Sequence, residues 1–259
     1  MITELTILPG FNKVGVREGF SKITLSAGET VSIVGPTGSG KTAFITDIEL
    51  LAQEDTATKR KVLVNGLVPD DGVRCNPCRK PIAMITQNTK CFADLSSEEF
   101  LRIHARARGI KDNSVVDETI ELANKFTGEK IKNNSRVTVL SGGQTRSLLV
   151  ADAILIGASP VILLDEIENA GIFKQEVLRI IQNTGKIIVF VTHDPVIALL
   201  TKKRIIMQNG AVKKVIIRSD LEVTAAYNLL EYDKKVSIIR ERLRTGKMIT
   251  EELVSASLA

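Results

Sequence analysis

Two short stretches of this sequence contain the residue types that bind and cleave phosphoanhydrides. The first is GPTGSGKT, Gly35 to Thr42, which fits the pattern G-x-x-x-x-G-K-[ST]. Glycines let backbone N–H groups close round phosphate oxygens, and the positive end of a following helix adds to the attraction. The stretch therefore predicts a phosphate-binding loop in which Lys41 reaches the β- and γ-phosphates and the Thr42 hydroxyl ligates Mg²⁺.

The second stretch is VILLDE, Val161 to Glu166, where an apolar run meets two adjacent carboxylates. Neighbouring side chains on a strand face opposite ways, so the two acids are expected to have different roles. Phosphate-bound Mg²⁺ needs a carboxylate at the end of a neighbouring strand, and Asp165 is placed for that role. Glu166 can then point past the metal and polarise a water that attacks the γ-phosphate, as a general base does.

The elements around these stretches predict a parallel sheet with helical connections. Apolar, β-branched runs bounded by glycine, proline or polar residues predict strands in TVSIV, KVLVNG, PIAMIT, PVILLD and KIIVFVTH, which begin at residues 30, 61, 81, 160 and 186. A helix is predicted from Lys41, and more helix between residues 95 and 132. The alternation after residue 160 is typical of βαβ units. RIIMQNGAVKKVII predicts a hairpin around Asn209 and Gly210.

Composition narrows the class of protein. The 259 residues are 44% hydrophobic and 25% charged, as in ordinary globular proteins. The longest apolar stretch, residues 153–164, is interrupted and falls short of the roughly 20 residues that span a bilayer. The N-terminus lacks the features of a secretory signal, so we expect a cytoplasmic protein with three reduced cysteines. A net charge of +5 suits anionic ligands and does not favour nucleic acid as the partner.

A third stretch, LSGGQTR from Leu140, makes the resemblance specific. With the phosphate loop upstream and the VILLDE strand about 20 residues downstream, the chain resembles an ATP-binding cassette (ABC) ATPase from Phe11 to about Gly210. The resemblance implies a single α/β domain of the P-loop NTPase class. Its parts are a RecA-like core at about 1–87 and 151–217 with a small antiparallel β subdomain, an inserted helical subdomain at about 88–150, and a helical tail at about 218–259.

The resemblance also implies roles for individual residues. Gln87 in MITQN matches the glutamine that senses Mg²⁺ and the attacking water, and His193 in FVTHD matches the histidine that contacts the γ-phosphate. Phe11 lies where the family has an aromatic ring stacked on adenine, with Phe20 as the alternative. The implied ATP site comprises Phe11, Gly35, Pro36, Thr37, Gly38, Ser39, Gly40, Lys41, Thr42 and Ala43. The metal ligands are Thr42, Gln87 and Asp165, and the catalytic residues are Glu166, His193, Lys41 and Gln87.

The signature residues imply a partner. Ser141, Gly142, Gly143 and Gln144 are expected to contact the ATP of a second subunit, because a hydroxyl and N–H groups at a helix start form an anion site that lacks its own phosphate. The implied function is Mg-dependent ATP hydrolysis in a head-to-tail homodimer or heterodimer. The chain would energise an ABC transporter by docking on a membrane permease beside Gln87. The alternative is a soluble relative that remodels or assembles a macromolecule such as a metalloenzyme.

The sequence also departs from the family pattern. After Glu166 the chain reads IENAGIF, where Glu168 and Asn169 replace the expected aspartate, and Glu168 is interpreted as a solvated acid or a polar contact. In the helix after LSGGQ, one of the family's arginines is shifted to Arg146, and Asp152 stands where the other would be. A zinc site from Cys75, Cys78, Cys91 and His104 is an alternative to reduced loop cysteines, as is a redox pair.

The C-terminal segment predicts an amphipathic helix. An apolar stripe at spacings of three and four residues runs along it through Leu229, Tyr232, Val236, Ile239 and Leu243. Docking of this stripe on its own domain and binding of a partner are both open from the pattern, and the first is the simpler expectation.

Overall fold

The structure is a computed structural model that describes residues 2–76, 79–167, 176–177, 179–180 and 184–248. Within these residues, nine strands form two sheets. Their bounds are Glu4–Leu8 (β1), Ile23–Ser26 (β2), Thr30–Val34 (β3), Lys61–Val64 (β4), Ile82–Ile85 (β5), Val161–Asp165 (β6), Ile187–Val191 (β7), Lys203–Gln208 (β8) and Ala211–Ile217 (β9). All five strands predicted from the apolar runs are present, as is the hairpin of β8 and β9.

The two sheets differ in size and in strand direction. A three-stranded antiparallel sheet has the order β2-β1-β4, and a six-stranded sheet has the order β5-β6-β7-β3-β8-β9. In the larger sheet β5, β6, β7, β3 and β8 run parallel, so their carboxyl ends share one edge. Only β9 is antiparallel to its neighbour. This is the predicted α/β class with a small antiparallel β sheet.

The larger sheet is buried on both faces, which explains why its strands are continuously apolar. Along β6, Val161 and Leu163 face one hydrophobic cluster, while Ile162 and Leu164 face another. The first cluster also contains Leu5 and Phe44, from the small sheet and the helix after the phosphate loop. Because both faces are covered, the functional residues must lie at the strand ends.

Helices connect the strands and form a separate layer. Their bounds are Lys41–Glu49 (α1), Asp71–Arg74 (α2), Ser97–Ala107 (α3), Ser114–Phe126 (α4), Gly142–Leu155 (α5), Pro195–Leu200 (α6) and Asp220–Arg244 (α7). Helices α3, α4 and α5 contact one another and share a core that includes Leu101, Phe126 and Leu148. Both α3 and α5 begin with a capping box, from Ser96 and Ser141 respectively. In the described part of the chain, no helix is long and apolar enough to cross a bilayer.

The exposure of the C-terminal helix differs from the expectation that its apolar stripe docks on the domain. Helix α7 packs against α6, but the residues that it buries fully are Ala226 and Leu230. Of the predicted stripe, Tyr232 is 60% exposed and Leu243 62% exposed. The expectation that the stripe docks on its own domain is therefore wrong for this part of the helix, because these side chains are exposed to solvent.

Candidate active site

The phosphate loop lies between β3 and α1, as its sequence predicts. Gly38 and Gly40 adopt positive φ angles of 76° and 99°, a conformation that glycine reaches without strain. Close packing also requires glycine, since a Cβ on Gly35 would lie 2.4 Å from the Met207 carbonyl oxygen of β8. Residues Lys41 and Phe44 of α1 are buried, whereas Thr42 and Ala43 are exposed at the first turn. The loop is thus wedged against the sheet with its helix end open.

The lysine of the loop makes its hydrogen bonds within the loop. The Lys41 ammonium donates to the carbonyl oxygens of Gly35 at 2.8 Å and Pro36 at 3.2 Å. A second ammonium, that of Lys13, donates to the Gly38 carbonyl at 2.6 Å. Two cations therefore lie against a loop whose chemistry favours anions.

Asp165 and Glu166 diverge because the backbone turns sharply between them. Asp165 ends β6, while Glu166 has left the strand with φ of 49°, which is rare for a residue with a side chain. The Glu166 amide donates to the Val191 carbonyl at 2.9 Å and thereby fixes the turn. Strained backbone of this kind concentrates at functional sites. The two adjacent acids therefore lie on backbone of different conformation.

Glu166 faces His193 across the sheet edge. The His193 Nε2 atom lies 3.3 Å from Glu166 Oε1, with the two side chains 50% and 28% exposed. His193 follows β7, the strand beside β6, and Thr192 is held by the carbonyl of Ile33 at 3.3 Å. An acid and an imidazole in contact at an open edge can exchange a proton with a bound water or phosphate.

Strand register brings four of the predicted site segments to this edge. Asp165 pairs with Val191, which pairs in turn with Ile33, so the phosphate loop lies two strands from Asp165. Ile85 of β5 pairs with Leu164, and Gln87 follows in an exposed turn that Thr86 and Thr89 close with a 2.9 Å hydrogen bond. The sheet therefore collects the phosphate loop, Asp165, Glu166, His193 and Gln87 at one edge.

A buried ion-pair network that the sequence did not indicate supports the phosphate loop. The Arg60 guanidinium is fully buried and donates to Glu18 at 2.8 and 2.7 Å, to Asp47 of α1 at 2.9 Å and to the Gly210 carbonyl at 2.9 Å. It also lies 4.9 Å from the centre of the Phe44 ring. Arg60 thus ties α1 to the β8–β9 turn.

The network also holds the turn that carries Phe11. Glu18 accepts hydrogen bonds from the Gly10 amide at 3.1 Å and the Val212 amide at 2.8 Å. The Phe11 amide donates to the Thr58 carbonyl at 2.7 Å, and the Thr58 hydroxyl donates to Asp47 at 2.7 Å. Phe11 is 39% exposed, whereas Phe20 packs against the core. The ring open to solvent is therefore that of Phe11.

Charge pairing outweighs burial in this network. Burial opposes ionisation of Glu18, but the hydrogen bonds and the charge of Arg60 outweigh it and hold the pKa of Glu18 below its ordinary value. Burial likewise opposes the charge on Arg60, and its two carboxylate partners raise its pKa above the usual range. Both groups are therefore charged at neutral pH.

The signature residues lie on the helical layer. The Ser141 hydroxyl accepts from the Gln144 amide at 3.3 Å, and the Gln144 side chain accepts from the Ser141 amide at 2.9 Å and donates to the Glu129 and Lys130 carbonyls. Ser141 and Gly142 are exposed, and Gly143 is buried. Gln144 thus caps the start of α5, where Ser141 and Gly142 are exposed.

The altered residue Asp152 has a partner within the helical layer. His104 of α3 approaches both Asp152 oxygens, at 2.8 and 2.9 Å, and Arg108 donates to the other imidazole nitrogen at 3.3 Å. This group lines a cleft of about 230 Å³ between β5, α3 and α5, which Ile85 and Thr89 also line. The contact with His104 gives Asp152 a structural role that the sequence alone did not indicate.

The predicted zinc alternative gains no support from the described residues. Cys75 is exposed near α2, Cys91 packs partly against the core, and no metal-binding group of three His, Cys, Asp or Glu residues occurs in the described ranges. Burial raises the pKa of the Cys91 thiol, aided by the charge of Asp152. Cys78, Glu168 and Asn169 lie outside the described residues.

Comparison with known proteins identifies the family of this chain. The ABC transporter family model matches residues 21–169. An uncharacterized ABC transporter ATP-binding protein of Methanocaldococcus jannaschii is 47% identical over 254 residues, which are 98% of this chain and 97% of the relative. The thiamine import ATP-binding protein ThiQ of Brucella suis is 29% identical over 197 residues, which are 73% of this chain and 78% of the relative.

Solved structures share the fold. An ATP-binding cassette in a dimeric, post-hydrolysis state with ADP and Pi bound superposes with a TM-score of 0.64 at 22% identity, over 83% of this chain and 99% of that one. The ATP-binding subunit of an ABC transporter gives 0.64 at 19% identity, over 86% and 93% of the two chains.

The family match and the fold define an ATPase of the ATP-binding cassette class. The chain belongs to the ABC transporter family, as LSGGQ and the phosphate loop predicted. Membership of this family supports ATP as the nucleotide that the chain binds.

Proposed function

We propose that this chain is the ATP-hydrolysing subunit of a membrane transporter and that it acts as a head-to-tail dimer with Mg²⁺ beside the triphosphate. The observation that carries the proposal is the division of the site residues into two groups. One group meets at the carboxyl edge of the large sheet, and the signature residues lie exposed at the start of α5. A second copy that supplies its signature residues would complete the first group.

The donor set near the phosphate loop suits Mg²⁺. Thr42 offers a hydroxyl at the exposed first turn of α1, Asp165 a carboxylate at the end of β6, and Gln87 an amide carbonyl after β5. Mg²⁺ prefers oxygen ligands of this kind and is commonly bound by one or two carboxylates together with substrate phosphates. When bound, the ion would neutralise charge on the phosphate oxygens.

The residues of this chain support hydrolysis by in-line attack of water. Glu166 accepts a proton from the water as its oxygen forms a bond to the γ-phosphorus, and the bond from that phosphorus to the bridging oxygen of ADP breaks. His193 donates a hydrogen bond to the γ-phosphate, and Lys41 exchanges its loop carbonyls for β- and γ-phosphate oxygens. The products are ADP and inorganic phosphate.

The start of α5 supports the proposal that each subunit contacts the ATP of the other. Ser141 and the amides of Gly142 and Gly143 begin a helix of 14 residues, whose positive end attracts an anion. In the proposed dimer this anion is the γ-phosphate of the other subunit's ATP. Helical residues at about 88–150 then act as the arm that presents the signature, between the two core segments at about 1–87 and 151–217, with the tail at about 218–259.

The cleft beside Gln87 supports docking of a membrane permease. It lies between β5 and the helical layer, and Ile85 and Thr89 line it on either side of the Gln87 turn. Relatives with import and export names share the core of this chain, including the macrolide export ATP-binding/permease protein MacB of Psychrobacter cryohalolentis, 30% identical over 73% of this chain and 29% of the relative. This proposal places the chain at the cytoplasmic face of a membrane.

A capture experiment tests the transporter proposal. Tagged Glu166→Gln protein with MgATP should hold the closed dimer and its complexes, and it should recover a membrane protein with several spans from solubilised membranes. Adding that protein in lipid to the wild-type chain should then stimulate phosphate release. Recovery of a soluble enzyme alone, whose assembly depends on ATP, would contradict transport and support the remodelling alternative. Glu166→Gln/Lys41→Met protein, which should not retain ATP, is the matched control.

A further inference from the structure

The Lys13 side chain joins the two places where the ends of a nucleotide are proposed to bind. It starts on the turn that carries Phe11, the exposed aromatic ring, and its ammonium ends at the Gly38 carbonyl of the phosphate loop, 2.6 Å away. A nucleotide whose base stacks on Phe11 and whose phosphates lie in the loop must pass beside this side chain.

The turn that carries Lys13 is held by its own hydrogen bonds. Phe11 pairs with Arg17, and the Asn12 amide donates to the Val16 carbonyl at 2.9 Å. The Asn12 side chain accepts from the amides of Val14 and Val16 at 3.0 and 2.9 Å. The backbone of Lys13 is therefore fixed before any ligand binds.

The turn is also fixed relative to the phosphate loop. A Cβ on Gly210 would lie 2.9 Å from the Lys13 amide nitrogen, and a Cβ on Gly40 would lie 2.8 Å from Gly210 Cα. The Gly210 amide donates to the Ser39 carbonyl at 2.8 Å, and its carbonyl accepts from Arg60 at 2.9 Å. Gly210 is thus packed between Lys13 and the loop, so that Lys13 is held next to the loop.

The present partner of the Lys13 ammonium is a neutral carbonyl at an exposed position. A phosphate oxygen is a stronger acceptor for an ammonium than a neutral carbonyl, since its negative charge adds a direct electrostatic attraction to the hydrogen bond. Lysine is a compact cation on a flexible stem, so it can change partner with little movement of the backbone. Exchange of the Gly38 carbonyl for a phosphate oxygen is therefore favourable.

We infer that Lys13 is a second phosphate-binding cation of the nucleotide site, in addition to Lys41, and that it binds the α- or β-phosphate. The inference rests on the proposed binding of ATP between Phe11 and the phosphate loop. Lys41 leaves the start of α1 and Lys13 approaches from the Phe11 turn, so the two ammonium groups would hold the triphosphate from two segments. The site would then favour nucleotides with two or three phosphates over adenosine.

The test compares ligands that differ only in phosphate number. Adenosine, AMP, ADP and ATP are titrated against a fluorescent ATP analogue on the wild type and on Lys13→Met, Lys13→Arg and Lys41→Met proteins. Lys13→Met should weaken ADP and ATP binding about tenfold and leave adenosine binding unchanged, because one charged hydrogen bond is lost. Lys13→Arg should restore most of the affinity. Lys22→Met, at an exposed lysine just before β2, is the control and should bind all four ligands normally.

Each outcome decides the inference. An equal loss for adenosine and ATP in Lys13→Met would mean that Lys13 only positions the Phe11 turn and would overturn the inference. Normal ATP binding by Lys13→Met together with a large loss in Lys41→Met would overturn it and leave the proposed function intact. Wild-type protein that does not bind ATP would contradict both.

Discussion

At the residue scale, the proposed mechanism depends on the turn between Asp165 and Glu166. Two adjacent acids on a continued strand would face opposite sides of the sheet. The positive φ of Glu166 ends the strand there and brings its carboxylate to within 3.3 Å of His193. In the proposed mechanism, Asp165 remains at the strand end for the metal, and Glu166 is available to the attacking water.

Glu166→Gln should separate binding from hydrolysis. Loss of a general base lowers rates by about 10²–10⁴-fold, so phosphate release should fall by that order while ATP affinity stays within a few-fold of wild type. The measurements are phosphate release and competition against a fluorescent ATP analogue. Asp194→Asn, at the N-terminal cap of α6 rather than in the site, is the control for local damage. Retention of near wild-type hydrolysis by Glu166→Gln would exclude this carboxylate as the base.

The residues of the candidate site were easier to predict from the sequence than the backbone conformation that positions them. GPTGSGKT and VILLDE predicted the loop, the strand ends and two roles for the two acids. The left-handed conformation of Glu166 could not be predicted, because residues with side chains rarely adopt it and nothing in the letters DE encodes it. The contact between Glu166 and His193 also depends on the order of the strands, which the motifs do not state.

At the element scale, the Arg60 network joins parts of the fold that are distant in sequence. Glu18 is 42 residues from Arg60, and Gly210 is 150 residues from it. Such contacts were missed because neither hydrophobic period nor motif spacing reports a buried ion pair. The signal that was present is Arg60 itself, a charged residue immediately before the apolar strand β4.

Arg60→Leu should be strongly destabilising. It would leave Glu18 and Asp47 buried without their counter-charge, and removal of one partner from a buried pair costs about 3–5 kcal/mol. Arg102→Leu is the matched control, because it breaks an exposed pair with Glu98 on α3 that should be worth less than about 1 kcal/mol. Denaturant unfolding of both variants measures the difference. Equal stability losses would contradict a network held by burial and pairing.

The same network predicts a pH dependence. The pKa of Glu18 is lowered in the folded state, so the Glu18 carboxylate contributes stability above its ordinary value of 4.5 and loses it as the pH falls below that value. The difference in unfolding free energy between wild type and Glu18→Gln should therefore be largest near neutral pH and shrink between pH 4.5 and the onset of acid unfolding. A difference that is constant over this range would contradict the assignment.

Because Ser141 and Ser96 both cap helices through capping boxes, Ser96 serves as a control for the role of the signature serine Ser141. Ser141 begins α5 and Ser96 begins α3, each with the same reciprocal hydrogen bonds. Substitution of either by alanine should cost about 1 kcal/mol of stability. Only Ser141→Ala should also lower ATP hydrolysis, by about a hundredfold if its hydroxyl contacts the reacting phosphate. Equal activity of the two variants would show that Ser141 is a helix cap and nothing more.

At the scale of the whole molecule, the sequence predicted the fold class better than it predicted the packing of the C-terminal helix. The α/β class and the helical stretches follow from the order of apolar runs, whereas the small antiparallel sheet was implied by the resemblance to the ABC family. The simpler expectation for the apolar stripe of α7, docking on its own domain, fails for Tyr232 and Leu243, because periodicity shows that a face is apolar but not which neighbour it meets. Ala226 and Leu230 are buried, whereas Tyr232 and Leu243 are mostly exposed.

The central claim is that each ATP site is assembled from the phosphate loop of one chain and the signature residues of another. Lys41→Met and Ser141→Arg proteins should each be inactive alone. In a mixed dimer, one site carries both defects and the other carries neither, so random pairing of equal amounts should restore about a quarter of wild-type hydrolysis. A mixture as inactive as its components, in which mixed dimers are confirmed by two different tags, would contradict the claim.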